Sequence, residues 1–104
     1  MAQAEVFSGI CGFTTIITID SLDEHNENVQ ITSECKHIDE LAINLKSEDL
    51  INIATKNIVK NPVFQYARIL PHPGCPVPSG IIKCAEVALG IALPKDVCIK
   101  IIKG

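Results

Sequence analysis

The chain contains no tryptophan, one tyrosine and three phenylalanines among its 104 residues. So thin an aromatic content excludes a base-stacking surface, since Phe7, Phe13, Phe64 and Tyr66 are also scattered along the sequence. Positive charge is scarce too. Nine basic residues face twelve acidic ones, the formal net charge is −3, and no basic run occurs. A nucleic-acid partner is not expected of such a chain. No apolar stretch approaches the ~20 residues that a membrane span needs. Met1 to Ser8 offers neither the basic start nor the apolar core of a secretory leader, so a cytoplasmic protein is expected. A phosphate-binding glycine loop, a nucleophile elbow, an H-E-x-x-H and a C-x-x-C are all missing. The acids Asp20, Asp23, Glu24 and Glu27 lack the spacing of a calcium loop.

What the chain does have is aliphatic. Hydrophobic residues make up 47% of it, enough for one core, and the length fits a single domain over residues 1–104. Two periodicities alternate along it. Glu5 to Gly9 reads as a short strand. Phe13 to Ile19 is β-branched and aromatic, a second strand, and Val29 to Ser33 alternates as a third. Asp20 to Asn28 between them reads as a polar hairpin tip.

The period then changes. Ile38, Leu41, Ala42 and Leu45 fall at helical spacing, with a start near Ser33 to Cys35. Ser47-Glu48-Asp49 predicts a second helix capped by the hydroxyl, burying Leu50, Ile51 and Ala54. Asn61-Pro62 predicts a third, with Asn as cap and Pro at the first helical position, stopping before Pro71. Ser79 is read as the cap of a fourth helix, 81–89, apolar on nearly every side and stopped by Gly90. Val97, Ile99 and Ile101 alternate as a last strand. The order implies an α+β fold. A small, mainly antiparallel sheet joins the N-terminal strands to a C-terminal strand, and about four helices pack on one face.

Five cysteines are an odd number for a disulfide framework, and in the cytoplasm they stay reduced. Four of the six prolines lie between Pro71 and Pro78, around His72 and Cys75. Proline stiffens its own φ and biases the residue before it, so this loop holds a side chain at low entropic cost. His72-x-x-Cys75 has the spacing by which a tight turn aims two ligands at one ion. Cys11 lies between two glycines, and Cys35 stands where a strand gives way to a helix, whose first N–H groups favour an anionic ligand. Three thiols at element ends suit a zinc ion or an iron–sulfur cluster. The candidate metal ligands are therefore Cys11, Cys35, Cys75 and His72, with Cys84 as the other choice for a fourth. Cys84 and Cys98 otherwise read as packing residues.

Cys11-Gly12-Phe13, Cys35 ahead of a helix, Cys75-Pro76-Val77-Pro78-Ser79-Gly80-Ile81 and Ala92-Leu93-Pro94-Lys95-Asp96-Val97 together resemble a family of small uncharacterised prokaryotic proteins. The resemblance spans nearly the whole chain. It implies that Cys11, Cys35 and Cys75 belong to a shared site, and it implies no reaction. Three functional expectations follow. The first is a small cytoplasmic protein that binds zinc or an iron–sulfur cluster through cysteine. The second is a non-catalytic homo-oligomeric module, such as a homodimer, held by the apolar helix or the last strand. The third is a thiol redox protein using Cys75 or Cys35, with His72 as base.

Overall fold

The computed structural model describes residues 1–20 and 29–104. Apart from Asp20, the expected hairpin tip lies outside the described residues. Strands β1 (Ala2–Phe7), β2 (Thr14–Ile19) and β3 (Val29–Ser33) form an antiparallel sheet in chain order. Ala4 pairs with Ile17, and Ile17 with Ile31. The alternation read in the sequence sets this register, because a slip of one residue would turn every inward side chain to solvent. Ala2, Ile17, Ile19 and Val29 are buried, while Gln3, Glu5, Gln30 and Thr32 on the opposite face are exposed.

Four helices follow: α1 (Lys36–Leu45), α2 (Leu50–Thr55), α3 (Pro62–Tyr66), continued by a 3-10 turn over Ala67–Ile69, and α4 (Val77–Ala88). The fold is α+β, with α4 packed on β1 and β2 and α1 on β3. One aliphatic core joins the layers. Ile17, Ile19, Ile38, Leu41, Leu45, Leu50, Ile53 and Ile81 lose essentially all contact with water. Burying each such side chain fully is worth about 1.5–3 kcal/mol.

The helix that sequence alone offers to a partner is used at home. Ile81, Cys84 and Ala85 of α4 are buried, and Ile82, Val87, Ala88 and Leu89 pack partly against the core. The Cβ that Gly80 lacks would lie 2.6 Å from Val6 Cγ2, so glycine lets α4 approach the sheet this closely. Gly90, at φ +74°, ends the helix: its N–H donates to the Val87 carbonyl and that of Ile91 to Glu86, a Schellman pair.

Four expectations are corrected. First, α4 starts at Val77, with Pro76 rather than Ser79 at its N-cap. Prolines are tolerated there because first-turn N–H groups have no partner in the helix. Second, Ser47 does not cap α2; its hydroxyl donates to the Asn44 carbonyl at the end of α1, and Asp49 holds the N-cap position. Third, α2 buries Leu50 and Ile53, with Ala54 half-buried and Ile51 exposed. The short helix presents only the i, i+3 edge to the core. Fourth, the last strand does not form: residues 93–104 have no regular structure, and Val97, Ile99 and Ile101 are exposed. Alternation makes a segment fit for a ladder, but a strand forms only beside a partner edge.

Candidate functional site

Cys11 sits exposed in the turn between β1 and β2, which Ser8 N–H to Phe13 O (3.0 Å) and Gly12 N–H to Gly9 O (2.8 Å) close. Exposed Phe7, Ile10 and Phe13 surround it in sequence. Cys35 is the half-buried N-cap of α1. Its N–H donates to Ser33 Oγ at 3.1 Å, and its carbonyl accepts from Ile38 and Asp39 at 3.1 Å each. The Ser33 hydroxyl also meets Thr15 Oγ1 at 2.8 Å, tying the junction to the middle strand. Cys75 is half-buried ahead of α4, and its N–H donates to the His72 carbonyl at 3.2 Å. The expected turn between His72 and Cys75 therefore exists, with His72 exposed.

Topology brings these loops to one end of the sheet. Phe7 pairs with Thr14 and Thr15 with Ser33, so the Cys11 turn and the Cys35 junction open on the same side. Gly80, in the first turn of α4, lies against Val6 and carries the Cys75 loop toward that end. Among the described residues, however, no three His, Cys, Asp or Glu side chains stand close enough to hold one ion. The Cys11 turn, the Cys35 junction and the start of α4 behind Cys75 lie toward one end of the sheet, and Cys11, Cys35, Cys75 and His72 form no coordination sphere.

The other two thiols differ sharply. Cys84 is buried in α4, with Sγ 3.9 Å from the Ile17 carbonyl to which it donates. Burial away from water pushes its pKa from 9.0 up to about 11. It stays a neutral thiol near pH 7, a poor candidate for a fourth ligand. Cys98 is exposed within 93–104, and all five cysteines are free.

Two concave surfaces went unread in the sequence. A cleft of about 390 Å³ between α2 and α3 is lined by Asn52, Lys56, Lys60, Gln65, Tyr66 and Arg68. Its cations are exposed, and the carboxylate at its wall, Glu48, accepts from Tyr66 OH at 3.0 Å. These charges form no run in the chain; the four-residue step from Lys56 to Lys60 and the turn at Asn61-Pro62 are the only sequence signs of their gathering. The second is a groove of about 440 Å³ between the edge strand β3 and α1. Ile31, Ala42 and Ile43 give it apolar lining, with Gln30, Asp39 and Lys46 around them. Asp39, Ile43 and Lys46 recur at i, i+4 and i+7, an outward stripe of α1 with Ile43 65% exposed.

Among the described residues no helix is long and apolar enough to cross a membrane. A family model described as a family of unknown function (DUF6951) matches residues 2–101. No curated protein and no solved structure matches the chain.

Proposed function

The chain belongs to this family of unknown function, and from that premise we propose that it is an association module that binds a second copy of itself. The observation that supports this reading is the segment 93–104. Leu93, Val97, Ile99, Ile101 and Ile102 stand in solvent, Ile101 with 89% of its surface free. Contiguous exposed apolar residues of this kind mark interaction surfaces. Sedimentation equilibrium between about 1 and 200 μM tests it, a range that captures micromolar dimers. The mass is expected to rise from 11.3 kDa toward twice that value. A monomer throughout overturns the proposal.

The shared end of Cys11, Cys35 and Cys75 supports a second reading, a thiolate-held zinc ion or iron–sulfur cluster completed by a small loop movement or across two copies. Metal and acid-labile sulfide content, measured on anaerobic protein prepared without chelator, decides it. Near-stoichiometric metal that is lost in Cys35→Ser supports it; folded, metal-free protein overturns it. Serine is a preferred N-cap, so this variant keeps α1.

A further inference from the structure

Resting on the association reading, we infer that residues 95–103 of a second copy dock as a fourth strand on the outer edge of β3, in the groove beside α1. The argument begins with parity. No proline or glycine interrupts Lys95 to Lys103. The odd positions read Lys95, Val97, Ile99, Ile101, Lys103: three β-branched apolar residues between two lysines. A strand lays alternate residues on one face, so a single register turns Val97, Ile99 and Ile101 the same way. In β3 the inward residues are Val29 and Ile31, and beyond the edge the groove is lined by the α1 stripe centred on Ile43. A strand added there would cover Ile43 with its three-residue apolar parity and leave Asp96, Cys98, Lys100 and Ile102 on the outer face, level with Gln30 and Thr32.

Backbone chemistry fits the same place. β3 is an edge strand of the described sheet, and an edge presents a row of N–H and C=O groups suited to an added strand. Charge gives the direction of attraction. Residues 93–104 hold three lysines against one aspartate, a charge of +2, while the rest of the chain holds six basic residues against eleven acidic ones, a charge of −5. Locally, Asp39 at one end of the stripe can meet Lys95 or Lys103. Lys46, at the other end, is the like charge in the groove, and its long stem lets the ammonium stay in water. Exchange in both directions gives a closed two-fold dimer with each segment in the other copy's groove.

The test uses the full chain. Ile99→Pro removes the central apolar side chain of the segment and fixes a φ that suits a ladder poorly, where the segment has no structure of its own to lose, and Ile43→Lys places a charge on the exposed groove wall. Each is expected to raise the dimer dissociation constant at least about tenfold, with the circular dichroism spectrum of the diluted, monomeric protein unchanged. A dimer that survives both variants overturns this docking while leaving the association reading intact; a wild-type monomer overturns both. Disulfide trapping reports the partner. Gln30→Cys or Thr32→Cys, each carrying Cys98→Ser, is mixed with wild type under mild oxidation. One of the two, set by strand direction, is expected to give a covalent dimer that Cys98→Ser protein without the new cysteine does not. Absence of a dimer in both mixtures, or an equal yield of dimer from Cys98→Ser protein without the new cysteine, overturns the second-copy assignment.

Discussion

Asn61 is buried, yet every polar atom of its side chain has a use. Its carbonyl oxygen accepts from the Val63 N–H at 3.0 Å, while its amide donates to the carbonyls of Ile53 (2.9 Å) and Lys56 (3.1 Å). It caps α3 and satisfies the end of α2 at once. The cap was legible in Asn61-Pro62, because an N-cap is a local bond. The donors' targets were not, since they depend on how two helices meet. Cys84 presents the opposite case, a buried thiol with one weak acceptor. Its pKa near 11 in the native state lies above the ordinary 9.0. Between those values the unfolded chain releases the proton and the native chain keeps it, so stability falls as pH rises through this window and is unaffected below it. Urea unfolding at about pH 8 and about pH 10.5 should therefore show the wild type losing more stability than Cys84→Ala over the same interval. Equal losses would mean that the thiol reaches water.

At the scale of elements, the contact between α4 and β1 turns on one missing methyl. Gly80→Ala would drive a Cβ into Val6 Cγ2, and a β-branched valine has few ways to move. The expected cost is about 1–3 kcal/mol, set against at most ~1 kcal/mol gained in helix propensity. In a Val6→Ala background the same substitution should cost nothing or stabilise, and a double-mutant cycle from denaturant unfolding would show the coupling. Additive effects would place the strain elsewhere. The sequence revealed this glycine only as part of a proline-flanked motif, since close approach is a property of two elements. Hydrophobic period identified α1 and β3, composition identified β2 and α4, and cap residues identified α2 and α3, while the first strand, expected over Glu5 to Gly9, runs over Ala2–Phe7. None of these identified the true start of α4, because the prolines at 76 and 78 read as a loop until the helix places them in its first turn. The period also failed at residues 97–102, where the pattern for a strand is present and the neighbour is not.

At the scale of the whole molecule, charge and apolar surface divide along the same line. An acidic body carries a basic, apolar segment that it does not cover. The separate ingredients of the candidate site were visible in sequence as motifs. What could not be read was their assembly: the cysteine loops share one end without closing on an ion, and the groove beside β3 exists only once α1 has folded against the sheet. The order of elements also bears on how the protein is made. The inner face of β1 and β2 is covered by α4, which begins at Val77, whereas β2 ends at Ile19. At synthesis rates of ~5–20 residues per second, that face waits roughly 3–14 s for its helix to be made, through Ala88. During this interval Ile17 and Ile19 are open to any apolar surface nearby, and the nascent chain depends on the speed of the ribosome, or on a chaperone, to reach its own last helix first.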